Sequence, residues 1–382
     1  MTSRRPQKRE ESGRASGASQ VLEAVQDDRL HSRALRPARE KRDADPQPLR
    51  VLVTGGGGFL GRAIIERLLA RGAEVRSFSR GRHLELAALG VETLRGDLTD
   101  GAAIRSACRG CELVLHVAAR AGIWGTFRDY YDPNVRGTEN VIAACREHDV
   151  GRLVFTSSPS VVFAGDKLVN ADESTPYSPR HRSYYGATKA IAEQRVLAAS
   201  GPHLRTLALR PHLIWGPRDP HLMPRLVARA EVGKLWQVGP GDNEVDSTYI
   251  DNAADAHILA AEALATNPNA PGRAYFISNG EPRRLWELIN QLLATAGVGP
   301  VTRRISRRRA RVLGSALEFA HRALGIRSEP SMTRFLADQL ATSHWFDISA
   351  AHRELGYTPR ISIDEGLRQL EHWFHQGSGY RS

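Results

Sequence analysis

Tyr185 and Lys189, in the run Tyr185-Gly186-Ala187-Thr188-Lys189, lie four residues apart in a stretch whose pattern predicts a helix over 183–199. Residues at this spacing share a helix face, so a phenol and an ammonium converge. A nearby cation lowers a phenol's pKa, which makes proton exchange with a carbonyl or hydroxyl oxygen feasible near neutrality. A tyrosine–lysine pair is common by accident, but here it follows a predicted strand that ends in Thr156-Ser157-Ser158. Ser158 can hydrogen-bond the reacting oxygen, with Ser157 as the alternative. Asn134, in Asn134-Val135-Arg136-Gly137-Thr138, is expected to fix a backbone bend or a water beside these groups, or simply to cap a helix.

A second constellation supplies the partner for such chemistry. Thr54-Gly55-Gly56-Gly57-Gly58-Phe59-Leu60-Gly61 joins a predicted strand to a predicted helix. Glycines 55, 58 and 61 allow a tight turn, close approach to a pyrophosphate, and packing of helix on sheet. The helix N-terminus then offers free N–H groups to phosphate. At the end of the second strand an acidic residue would favour NAD, but Phe78-Ser79-Arg80-Gly81-Arg82 stands there. Ser79 and the Arg80 guanidinium suit the 2′-phosphate of NADP(H), unless Arg80 only faces solvent. Asp97-Leu98 is expected against adenine, with helix capping as the other role for Asp97. Ala118, Ala119, Pro211 and Ile214 complete the expected cofactor contacts, and Lys189 can also hold the nicotinamide ribose.

These groups need a scaffold that brings strand ends together. Strands are predicted at 51–53, 74–79, 91–95, 113–117, 153–156 and 204–209, with helices at 59–70, 130–148 and 183–199 between them. That alternation implies an α/β fold with a doubly wound parallel sheet of Rossmann type. Beyond Arg210 the rhythm breaks at Pro211, Pro217, Pro220 and Pro224. The expected division is a tail over 1–48 and a cofactor domain over 49–210, its sheet completed from 246–278. Residues 211–245 and 279–382 then form a smaller, interleaved substrate cap.

Composition excludes several classes. The 382 residues are 41% hydrophobic and 25% charged, as expected of a soluble globular protein. Residues 1–48 carry few large apolar side chains, which predicts disorder. No run is long and apolar enough to span a bilayer, and no apolar signal core opens the chain, so a cytoplasmic location is expected. Cys108, Cys111 and Cys145 suit a reducing compartment, and the lone C-x-x-C reads as structural rather than metal-binding. The net charge of +11 gathers partly in Arg303, Arg304, Arg307, Arg308, Arg309 and Arg311. A solvated face is the first expectation, with attraction to an anionic membrane or acidic partner next. No recognition module accompanies the arginines, which argues against nucleic acid. After them Val312, Leu313, Ala316, Leu317, Ala320, Ala323 and Leu324 recur at helical spacing, as a core stripe or else a docking surface.

Together these motifs resemble the extended short-chain dehydrogenase/reductases, in the branch of the 3β-hydroxysteroid dehydrogenases, over about residues 50–378. Ala119–Gly125, Val245–Ala254, Ala274–Pro282 and Pro359–Gly366 further resemble the reductases that act on 2-alkyl-3-oxo acids in bacterial long-chain olefin synthesis. The resemblance implies NADPH-dependent reduction of a two-tailed β-keto acid, with Ser158, Tyr185 and Lys189 as the catalytic set. Arg120 stands where lysine is expected, which weakens any role for that cation. A steroid or sterol 3β-hydroxy dehydrogenase is the nearest alternative, and a non-catalytic NADP(H)-binding scaffold another. Expected partners are a lipid-like substrate, other enzymes of the pathway, a membrane surface and a second copy of the chain. A keto acid needs apolar walls plus a cationic or N–H-rich group, and His212, Leu213, Trp215, Arg218, His221 and Arg225 with Trp124 are the candidates.

Overall fold

The computed structural model describes residues 47–378, so nearly all of the expected tail over 1–48 lies outside the described residues. Seven parallel strands form the central sheet: β1 (Arg50–Thr54), β2 (Glu74–Ser79), β3 (Glu92–Arg95), β4 (Leu113–His116), β5 (Arg152–Thr156), β6 (Arg205–Pro211) and β7 (Ala274–Ile277). Their order is β7-β6-β5-β4-β1-β2-β3. Strands buried on both faces read as continuous apolar runs, as Val51-Leu52-Val53 and Leu113-Val114-Leu115 do. Helices Phe59–Ala70 and Ile250–Thr266 cover one face through Ile64, Ile65, Ala253 and Ala260. Helices Gly101–Cys108, Gly137–Glu147 and Tyr184–Ala198 cover the other through Ile104, Val141 and Val196. The chain reverses its direction of travel between β1 and β4, and a ligand crevice opens where strand ends diverge in this way.

Above the strand ends lies a smaller four-stranded sheet, Arg283–Arg284, Glu244–Val245, His344–Phe346 and Leu168–Ala171 in spatial order. Helices Leu222–Glu231, Leu285–Thr295 and Arg334–Gln339 add apolar walls there.

Two expectations need correction. The helix expected over 130–148 is broken: Phe127–Tyr131 is α-helical, Asp132–Arg136 is a π-turn, and Gly137–Glu147 resumes the α-helix. Pro133 lacks an N–H, and the widened turn carries Asn134 into the interior. The stripe after the arginine run is not core. In helix Arg307–Ala323 the buried residues are Ala310, Gly314 and Glu318, while Val312, Phe319 and, just beyond, Leu324 are 71%, 74% and 73% exposed. Ion pairs hold the inner face: Arg307 and Arg311 reach Asp338 at 2.8 and 2.6 Å, and Arg334 reaches Glu318 at 2.9 Å. A Cβ on Gly314 would come within 2.6 Å of the Thr333 carbonyl carbon, so backbone packs there in place of apolar side chains. Arg308 and Arg309 remain exposed. Among the described residues no helix is long and apolar enough to cross a membrane.

Candidate active site

The glycine loop is built for close approach. Gly55 has φ +73°, and a Cβ there would lie 2.9 Å from the Ala118 backbone. A Cβ on Gly61 would sit 2.2 Å from the Gly55 carbonyl oxygen. The helix that follows starts at Phe59 with no side-chain cap on Gly58, which leaves its first N–H groups directed at the loop. A cavity of about 650 Å³ opens over this turn. Gly55, Gly58, Phe59, Leu60, Gly61, Ser79, Arg80, Asp97, Leu98, Ala118, Ala119, Ile214, Tyr185 and Lys189 all line it. Asp97 also closes its own loop, accepting from Thr99 N and Oγ1 at 2.9 and 2.7 Å. Pro211 is displaced from expectation, because it faces the neighbouring chamber. His83, which the sequence did not single out, also lines the cavity and presses its ring against Gly57.

Tyr185 and Lys189 project from helix Tyr184–Ala198, whose N-cap is Ser183, accepting from Gly186 N at 3.1 Å. A Cβ on Gly186 would lie 2.8 Å from the Ser160 carbonyl, so the missing side chain lets the turn Pro159–Val161 approach the helix. That contact brings Ser158 beside Tyr185 on the wall of one chamber, with Ser158 Oγ donating to Ser160 Oγ at 3.0 Å. Lys189 is buried, donates to the Thr156 carbonyl at 2.5 Å, and lies 3.9 Å from the Phe155 ring centroid. The expected lowering of the phenol does not occur here. Burial holds Tyr185 above its usual value, with the nearby Ser158 hydroxyl opposing. Burial also pushes Lys189 down to about 7, with Glu193 opposing. Both groups sit in the same low-dielectric site, which disfavours charge on each. Ser157 is placed differently from Ser158: it lines the cofactor cavity, and its Oγ is buried without a hydrogen-bond partner among the described residues.

Asn134 is buried and accepts from Arg120 N at 2.7 Å, while its amide donates to the Arg120 carbonyl and to Thr188 Oγ1, both at 3.1 Å. It therefore fixes a backbone bend and ties it to the Tyr185 helix. A linked chain runs beneath it. Ala118 N donates to Thr54 Oγ1 (3.2 Å), Thr54 contacts His116 Nδ1 (2.7 Å), and His116 Nε2 contacts Thr138 Oγ1 (2.9 Å). Thr138 gives its proton to the Asn134 carbonyl at 2.6 Å, so His116 must donate from Nε2 and accept at Nδ1. Burial, then the Lys189 charge, pushes His116 down to about 3 and keeps it neutral. Sequence reading missed Thr54, His116 and Thr138, because each looks like an ordinary strand or helix residue until strand ends meet.

Next to the cofactor cavity lies a largely apolar chamber of about 390 Å³, and Tyr185 and Leu222 line both spaces. Its walls include Ile123, Phe163, Leu226, Leu288, Leu292, Phe335 and Phe346, with Ser158, Pro211, His212, Leu213 and Arg225 among them. Four substrate candidates lie elsewhere. Trp215 is fully buried and donates to Ser247 Oγ at 3.0 Å. Arg218 pairs with Glu66 at 2.9 Å in a separate cleft. Trp124 packs on His321 and donates to the Ile326 carbonyl at 3.3 Å, outside the chamber. His221 lines the cofactor cavity. The Arg120 guanidinium lies 5.3 Å from the Tyr130 ring centroid.

A glycine-loop Rossmann sheet, a tyrosine–lysine–serine cluster at its strand ends and a capping apolar chamber define an oxidoreductase of the extended short-chain dehydrogenase/reductase class. Residues 52–305 match the 3-beta hydroxysteroid dehydrogenase/isomerase family, and the chain belongs to it. It is 49% identical over 345 residues to a 2-alkyl-3-oxoalkanoate reductase of Shewanella oneidensis, covering 87% of this chain and 89% of that protein. It is 52% identical over 326 residues to the Stenotrophomonas maltophilia protein of the same name, covering 85% and 98%. The solved UDP-glucuronic acid 4-epimerase of Bacillus cereus superimposes with a TM-score of 0.66 at 23% identity, covering 87% of this chain and all of the other, and shares the fold.

Proposed function

We propose that the chain reduces the ketone of a 2-alkyl-3-oxoalkanoate with NADPH. The observation that carries this reading is the position of Tyr185, which lines both the glycine-loop cavity and the apolar chamber. A ketone held there lies within reach of the phenol and of a nicotinamide. The residues present fit a dinucleotide: a cradle that any Cβ would fill, uncapped helix N–H groups, and, in Ser157 of the cavity wall, a buried hydroxyl without a partner among the described residues. Gly55–Gly61 would hold the pyrophosphate, Arg80 the 2′-phosphate, and Lys189 the ribose. The cofactor supplies a hydride. Tyr185 gives its proton to the ketone oxygen while Ser158 donates a hydrogen bond to that oxygen. Burial favours the protonated phenol, the form that can serve as the acid. The apolar walls accept alkyl arms and exclude water. Two relatives near half-identity over most of both chains, each named for this reaction, support the keto acid. The family name keeps a 3β-hydroxysteroid as the alternative substrate.

Purified enzyme assayed with NADPH or NADP+ against 2-alkyl-3-oxo and 3-hydroxy acids, steroids and UDP-sugars tests the reading. Turnover should rise with alkyl length and fall roughly 10²–10⁴-fold in Tyr185→Phe while NADPH still binds. Steroid turnover above that of every acid would replace the keto acid with the steroid.

A further inference from the structure

The chamber carries an acid–histidine pair that hydride and proton transfer leave unused. His212 Nδ1 meets Asp246 Oδ1 at 2.5 Å, and the fully buried Asp246 accepts Phe346 N at 3.0 Å through its other oxygen. With Nδ1–H committed to Asp246, Nε2 is the nitrogen left for the chamber that His212 lines. Beside it, 5.0 Å away edge-on, His344 donates from Nε2 to Gln339 Oε1 at 2.7 Å, and its buried Nδ1 has no hydrogen-bond partner among the described residues. Burial, then His212 beside it, pushes His344 down to about 3.

Position selects His212 over the other cations of the chamber. In a β-keto acid one carbon separates the ketone from the carboxylate, so the group that binds the carboxylate must stand beside Ser158 and Tyr185. Thr156 of β5 is in register with Leu209 of β6. His212 directly follows Pro211, the last residue of β6, and it lines the same chamber as Ser158. Arg225 is engaged by Glu329 at 3.5 Å. Arg229 lies seven residues along the helix from Leu222, which with Tyr185 lines both cavities, or roughly 10 Å by helical rise.

We propose that His212, held and charge-balanced by Asp246, binds the substrate carboxylate through Nε2–H while Ser158 and Tyr185 take the ketone oxygen; this rests on the keto-acid reading above. An imidazolium between two carboxylates is favoured by both, and the apolar walls strengthen the pairing. Asp246 acts as a positioning residue, since among the described residues its hydrogen bonds go to His212 and the Phe346 backbone.

The test uses a 2-alkyl-3-hydroxy acid and its methyl ester with NADP+, in wild type, His212→Leu, His212→Gln, Asp246→Asn and Arg229→Ala, with NADPH binding as the check on folding. His212→Leu should lower the acid-to-ester ratio of kcat/KM at least about tenfold, mostly through KM for the acid. His212→Gln, which keeps an N–H without the charge, should fall between it and wild type, and Asp246→Asn should shift the ratio in the same direction. An unchanged ratio in both His212 variants, or a fall confined to Arg229→Ala, overturns the assignment while acid preference in wild type stands. Wild type that does not prefer the acid removes the keto-acid reading and this proposal with it.

Discussion

The Asn134 amide donates to Thr188 Oγ1 at 3.1 Å, and Thr188 lies between Tyr185 and Lys189 on one helix. Thr188 passes its own proton to the carbonyl of Tyr184 or Tyr185, at 2.9 and 3.1 Å. The π-turn that bears Asn134 is thereby coupled to the pitch of the tyrosine's own turn. Thr188→Val keeps the shape and leaves the Asn134 amide with one partner fewer. Loss of such a buried hydrogen bond costs about 1–3 kcal/mol. Thermal denaturation should show that loss, and kcat should fall about tenfold or more with little change in cofactor affinity. Wild-type kcat in the valine variant would refute the coupling.

Arg80 lines the cofactor cavity at the end of β2. If it reads the 2′-phosphate, Arg80→Ala weakens NADPH roughly ten- to a hundredfold and leaves NADH nearly unaffected, because a hydrogen bond to a charged group is at stake. Titration of both cofactors by fluorescence decides it. Equal weakening of the two would place the guanidinium's role elsewhere.

Lys189, pushed down by burial from an ordinary 10.5 to about 7, makes a pH prediction. Between those values the unfolded lysine holds a proton that the folded one has released. Stability therefore rises with pH across this window, and below pH 7 the burial penalty is fully present. Tyr185 is shifted upward, so it opposes the trend only above about pH 10. The Tm of wild type minus that of Lys189→Met, measured from pH 6.5 to 9, should increase. A flat or falling difference would contradict a buried, depressed ammonium.

The outward face of helix Arg307–Ala323 joins exposed Val312, Leu313 and Phe319 to Arg308, Arg309 and Arg322. We propose that it meets an anionic lipid surface, on the ground that apolar side chains ringed by arginines complement lipid headgroups and acyl chains. The following segment contributes Glu329, Phe335 and Leu336 to the substrate chamber, which suits entry of a lipid-like acid from that side. Flotation with phosphatidylglycerol liposomes at low salt should recover the enzyme, and Phe319→Glu should reduce recovery severalfold. Failure of the wild type to float would end the proposal.

The sequence alone determined what local pattern can specify. Glycines 55, 58 and 61 between an apolar run and an amphipathic helix announce a dinucleotide turn, because no other residue allows that backbone approach. Tyr185 and Lys189 share a helix face by spacing alone. The alternation of short apolar runs with helices dictated the parallel sheet, and boundaries such as Phe59–Ala70 and Glu74–Ser79 match the expected residues. Tertiary structure decided whatever depends on residues far apart meeting in low dielectric. It raised Tyr185 where spacing suggests lowering, because burial desolvates the phenol itself. It turned Val312 and Phe319 outward, because ion pairs from Asp338 and Glu318 claim the inner face of their helix. It buried Trp215 against Ser247 and Tyr249, and set His212 on Asp246, a carboxylate 34 residues along the chain. No window of sequence carries that pairing, since it exists only when the end of β6 and the smaller sheet close over the same cavity.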